Sequence, residues 1–216
     1  MPAGDVHEIY GDIQLTGGDF IVTGEKDQEG GKSPAVLPFM IIGAKIIDSS
    51  GRANSIRFTP GTSNQGNRRS VFRFVGNNLR IGNSGSSDNA IKTNDKAHFE
   101  IGDGNTTTHL TLQDTMTLFN GLRMKSGGTL KTNNKLKFGT SGTNRFGDSA
   151  YVGYMDTVDA STSIVGDVTL IMTIPGSRNF RFLGNPFSSS LSITDFTDDI
   201  DITGTITTGN GNNFTT

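Results

Sequence analysis

The chain has no cysteine and no tryptophan among its 216 residues, and only four of its 21 acidic residues are glutamate (Glu8, Glu25, Glu29 and Glu100). Without cysteine there is no disulfide, no thiolate zinc site and no thiol nucleophile. The shortage of Glu and other strong helix formers excludes a mainly helical fold. No apolar run reaches about 18 residues, the length a membrane-spanning helix needs. A formal net charge of −2 supplies no basic field for nucleic acid. The opening MPAGDVHEIY lacks the basic and apolar regions of a secretory signal, so no leader is expected. Apolar residues make up 32% of the chain, against about 45–50% with glycine included in an average soluble domain. A large core built by one chain alone is therefore not expected.

What is abundant points one way. Gly, Thr, Ser and Asn fill 93 positions, a mixture of turn formers with a β-branched residue that suits pleated surfaces. The clearest pattern runs from Leu110 to Gly139, where Leu112, Leu118, Met124, Leu130 and Leu136 recur at six-residue steps. Two positions earlier stand Leu110, Met116, Leu122, Gly128 and Asn134, and residues i and i−2 of a strand share one face. Three positions later stand Thr115, Gly121, Gly127, Asn133 and Gly139, four of them types that accept a positive φ. Each unit reads as a short strand, a turn and another short strand, which is a solenoid or fibre signature.

A left-handed hexapeptide coil wants a small residue after each buried aliphatic. Here Gln113, Phe119, Lys125, Lys131 and Lys137 occupy those places. Five units also make fewer than two coils, so the pattern predicts that three chains wrap around one axis and share a core formed by Leu112, Leu118, Met124, Leu130 and Leu136.

Further strands are expected where apolar residues alternate. Ile13–Gly17, Phe20–Gly24 and Ile200–Gly204 share the form apolar-x-apolar-Thr-Gly, with Ile206–Gly209 a looser copy. Phe72-Arg73-Phe74-Val75-Gly76-Asn77 returns as Phe180-Arg181-Phe182-Leu183-Gly184-Asn185, with Leu79–Asn83 and Leu136–Gly139 as relatives. Alternation places both apolar side chains inward and the cation outward. Val36–Ile47 carries Pro38, which suits an edge or a strand start, and Val165–Ile174 ends at Pro175-Gly176. The expected fold is all-β, with β-sandwich-like modules joined by a hexad-repeat β-stalk and intertwined as a homotrimer. Its segments are an N-terminal strand segment (1–30) serving as an attachment or swapped arm, a first β module (31–100), the stalk (101–140) and a C-terminal β module (141–216).

These features together, in Ile13–Gly24, Leu110–Gly139 and Ile200–Gly209, resemble phage tail-fibre and other trimeric β-structured virion proteins, a likeness that covers about a third of the chain. The resemblance implies a non-enzymatic structural role in a virus particle, assembled in the host cytoplasm. It implies partnership with copies of itself and with other tail or capsid proteins, and no cofactor. A tail fibre or tail-associated trimer is the first reading and a capsid decoration (cement) protein the alternative. A glycan-binding or polysaccharide-depolymerising spike, with a host-surface glycan as partner, is a further alternative. Neither nucleic acid nor membrane insertion enters any of these.

Candidate chemistry is sparse. Asp198, Asp199 and Asp201, with Asp195, form the densest acidic cluster and are the weak metal candidates, since hard cations want several oxygens. The D-x-D-x-D-G loop is absent, and a solvated acidic loop is the plainer reading. His7, His98 and His109 are the only histidines, and their spacing does not argue for a shared metal. Glycoside hydrolysis needs two carboxyl groups about 5–9 Å apart. Asp156 with Asp159, or Asp198 with Asp201, could supply such a pair, as any Asp-rich loop could. No G-x-S-x-G elbow or phosphate loop stands in the required context. Tyr151 and Tyr154 are the candidate contact surface, because exposed Tyr joins an apolar ring to a polar handle.

Overall fold

Apolar-x-apolar triplets separated by Gly, Asn, Asp and Ser turns become very short strands, because a period of two buries every second side chain. A computed structural model describes residues 6–23, 39–60, 70–83, 89–139 and 162–171, together with the backbone alone of 152–155, 205–206 and 214–215. All its regular elements are strands. The chain divides into two compact units, Met1–Pro175 and Gly176–Thr216.

In the first unit the strands come in sets of three, each set one turn of a coil. The first coil holds β1 (His7–Ile9), β2 (Ile13–Leu15) and β3 (Phe20–Val22). The second holds β4 (Met40–Ile42), β5 (Ile46–Asp48) and β6 (Ile56–Phe58); the third β7 (Ser70–Phe74), β8 (Leu79–Asn83) and β9 (Ile91–Thr93). The fourth holds β10 (Ala97–Ile101), β11 (Thr108–Leu112) and β12 (Met116–Leu118); the fifth β13 (Leu122–Met124), β14 (Gly128–Lys131) and β15 (Leu136–Phe138). The sixth holds β16 (Val152–Met155), β17 (Ser163–Val165) and β18 (Val168–Leu170). In the second unit β19 (Thr205–Ile206) and β20 (Phe214–Thr215) form an antiparallel pair.

Three faces result. One sheet runs β1-β4-β7-β10-β13-β16 and a second β2-β5-β8-β11-β14-β17. The third face is formed by β3-β6-β9 and β12-β15-β18, which abut where the Thr93 hydroxyl donates to the Thr117 carbonyl. Pairing on all three is parallel and close to in register: Met40 lies opposite Phe72, Phe72 opposite Phe99, and Phe99 opposite Leu122. Each coil thus climbs one strand spacing, about 4.8 Å, and the described strands of this unit form a three-faced parallel β-solenoid. The sheets run through the expected boundaries at 30/31 and 100/101, and β10 itself spans the latter.

Inward parity builds the core. Ile42, Ile46, Ile56, Phe58, Phe72, Ile81 and Leu112 are fully buried in it. Phe58 from the third face meets Phe72, Phe74 and Phe99 from the first edge-on, with ring centroids 5.0, 6.4 and 5.5 Å away. Residues 39–47, expected as part of one strand over 36–47, fall in two strands on different faces with a corner at Gly43-Ala44-Lys45.

The hexad residues are buried within a single chain. Leu112, Leu118, Met124, Leu130 and Leu136 lie in successive strands, β11 to β15, and each is at most 2% exposed within one chain. Within one chain they line the solenoid's own core. The long residues after them are accommodated because they lie outside that core: Gln113, Phe119, Lys125 and Lys137 are half-buried and Lys131 is exposed. Of the five expected turn positions, Gly127 and Asn133 take a positive φ, at 74° and 48°. Gly82 is a further special position, at φ 124°, where an added Cβ would lie 2.6 Å from that of Asp114.

Candidate functional site

Turns between faces leave backbone groups without ladder partners, and buried ones must be satisfied. Here polar side chains at the corners do so by reaching the neighbouring coil. The Lys45 N–H donates to Asp12 (3.0 Å), joining coils one and two, and Asn94 Nδ2 donates to the Pro60 carbonyl (2.9 Å), joining two and three. Asp114 accepts the Ala90 N–H (2.6 Å) and Asn120 donates to the Asp95 carbonyl (2.8 Å), joining three and four. Asn133 donates to the Leu112 carbonyl (2.7 Å), and the Thr132 hydroxyl donates to the Asp167 carbonyl (2.8 Å), joining four to five and five to six. The many Asn, Asp and Thr residues therefore have a structural use at the corners.

Two buried carboxylates stand out. Glu100 is on the outward parity of β10, yet its side chain is only 3% exposed. In register with it lie Arg73 on β7 and Arg123 on β13. Arg73 Nε and Nη2 donate to Glu100 Oε2 at 2.8 and 2.7 Å, and Arg123 Nη1 donates to Oε1 at 3.3 Å. One carboxylate thus ties three consecutive coils. Removing one partner of a buried ion pair leaves an uncompensated charge and costs about 3–5 kcal/mol, less here because Arg123 stays. Arg73→Ala should therefore lower stability by about 2–3 kcal/mol, measured by urea unfolding.

The second is Asp48, the fully buried last residue of β5. Burial pushes its carboxyl up, but hydrogen bonds from the Ser50 hydroxyl (2.6 Å) and N–H (2.9 Å) to Oδ1 lead the contacts that outweigh it and hold the group below the ordinary aspartate value. The folded state therefore binds the proton less readily than the unfolded chain. Its contribution is present above about pH 4 and is lost as pH falls through the folded value. Between pH 6 and pH 2.5 the melting temperature should fall further for the native chain than for Asp48→Asn, read by circular dichroism.

On the outer surface, Asp19 pairs with both Arg52 (3.2 Å) and Arg57 (2.5 Å). Tyr10 is 62% exposed, its ring over the Gly43 corner.

No protein-family model, curated protein or solved structure matches the chain.

Among the described residues the three histidines do not share one site. His7 is exposed on β1 with its ring edge against Phe39, His98 is buried on β10 and His109 is exposed on β11. Among the described residues no three His, Asp or Glu side chains group as metal ligands. Asp156, Asp159, Asp195, Asp198, Asp199, Asp201 and Tyr151 lie outside the described residues, and Tyr154 belongs to β16, of which only the backbone is described. Sequence reasoning passed over Glu100. Its signal was available: a lone Glu between Phe99 and Ile101, in the position that Arg73 and Arg123 hold in their own triplets.

Proposed function

We propose that the chain is a non-enzymatic structural protein of a virus particle, of phage type, acting as a tail fibre or tail-associated homotrimer. The observation that carries this reading is the use of the buried polar groups. Glu100, Asp114 and Asn120 each bind a neighbouring coil, so the polar inventory is spent on continuity along the solenoid. A stack of coils held by nearest-neighbour interfaces suits a part that transmits force along its length. The likeness of the sequence to trimeric β-structured virion proteins points the same way.

In this reading the trimer draws on surfaces other than the hexad. The inward residues of the first coil (Ile9, Ile13, Leu15, Phe20) and of the last (Ile164, Val168, Leu170) are only half-buried, and Ile21, Val165 and Ile171 are exposed. Contact with another copy or a second virion protein would cover this apolar surface and pair the edge strands.

Size-exclusion chromatography with light scattering and small-angle X-ray scattering tests the proposal. A mass three times 23.0 kDa in a long particle is expected, with binding to host cells. A compact trimer that binds empty capsids and raises their heat resistance would replace the fibre with a decoration protein. A monomer that releases reducing ends from a host polysaccharide would overturn the structural role.

A further inference from the structure

The register of the first face contains an internal template: cation, carboxylate, cation on three successive strands, Arg73–Glu100–Arg123. The second face repeats it with the centre changed. Arg80 on β8 lies opposite Thr111 on β11, which lies opposite Lys131 on β14. Arg80 and Lys131 are exposed, and neither makes an ion pair among the described residues. Two cations therefore stand two strand spacings apart, about 9.6 Å, with a hydroxyl where the first face has a carboxylate. His109, exposed, and the Thr129 and Ser163 hydroxyls (3.4 Å apart) extend the row beside them. The outward positions of β8, β11, β14 and β17 carry no Asp or Glu.

We infer that this face binds an acidic polysaccharide, seating a sugar carboxylate between Arg80 and Lys131 over Thr111. The charge complement is the one the protein itself uses at Glu100. Threonine and serine hydroxyls both donate and accept, which matches the hydroxyls of a sugar chain. The outward positions of β8, β11, β14 and β17 carry no Phe, Tyr or Trp on which nucleic acid bases could stack. It is the flat of a sheet rather than an edge, so an acidic peptide has no strand to extend. The inference stands whether or not the chain belongs to a virus particle.

The probe is an oligogalacturonate, with neutral dextran and an oligodeoxythymidylate as comparisons, titrated into the full chain by calorimetry at low salt. Binding of the uronate alone is expected, weakening as salt rises because exposed charge pairs are screened. Arg80→Gln and Lys131→Gln should each weaken it by about two- to fivefold, the range for exposed ion pairs, with the double variant weaker than either. Lys92→Gln, exposed on β9 of the third face, should leave it unchanged, and unaltered melting temperatures show that the surface variants remain folded. Absence of uronate binding by the native chain, equal affinity of the double variant, or tighter binding of the oligodeoxythymidylate each overturns the inference.

Discussion

Leu118→Asp should unfold the first unit, not merely separate copies of it. Leu118 is 2% exposed in β12, in the core of the fourth coil. The change removes a buried side chain, at about 2–5 kcal/mol, and puts a carboxylate without a designed partner in its place, at several kcal/mol more. A domain has only about 5–15 kcal/mol in hand. A solenoid coil also supports the ones on either side, so the loss propagates. Circular dichroism should show the strand signal lost at 25 °C and the purified variant should be protease-sensitive. A folded monomer with native strand content would mean that Leu118 sits between chains, as the hexad spacing alone suggested.

Phe58→Ala should lower the unfolding free energy by about 3–5 kcal/mol. Phe58 is fully buried, and its ring is the one that Phe20, Phe72, Phe74 and Phe99 all approach, with centroids from 5.0 to 6.4 Å. Those neighbours come from three different strands on two faces, so the cavity cannot close by moving one of them. Edge-to-face pairs add about 0.5–1.5 kcal/mol each beyond burial, which places the cost at the upper end. Phe58→Leu keeps most of the volume and should lose clearly less. Urea midpoints of the two variants compare them directly, and equal midpoints would remove Phe58 from the centre of the core.

The sequence made the strands legible because their period is local. Phe72-Arg73-Phe74 and Leu136-Lys137-Phe138 do bury their outer members and turn the cation away from the core, as alternation requires. The winding was harder to see. An unbroken run of six-residue steps extends only from β11 to β15, where successive faces are joined by minimal corners; β1 to β2 and β4 to β5 keep single steps. Elsewhere longer connections, such as residues 23–39 between β3 and β4, break the count, so no sustained repeat is visible in the other coils. That is why five units looked too few for a single chain. The corner bonds were hidden for another reason. Asn133 meets the Leu112 carbonyl and Asp114 the Ala90 N–H across a whole coil, a pairing that depends on register rather than on neighbours in sequence. Glu100 was passed over on the same account, since its partners lie on β7 and β13.

The central claim is that neighbouring strands of each face come from one chain. Thr129 on β14 and Ser163 on β17 are register partners with their hydroxyl oxygens 3.4 Å apart. A disulfide needs Cα atoms about 4.4–6.8 Å apart, which adjacent strands provide. The native chain has no cysteine to compete. The most direct measurement is oxidation of the Thr129→Cys/Ser163→Cys variant, followed by non-reducing electrophoresis and peptide mapping of the linked fragments. The solenoid predicts an intramolecular disulfide in a monomer band. Covalent dimers or higher species joined between these two positions would show that the strands pair between chains and would contradict it.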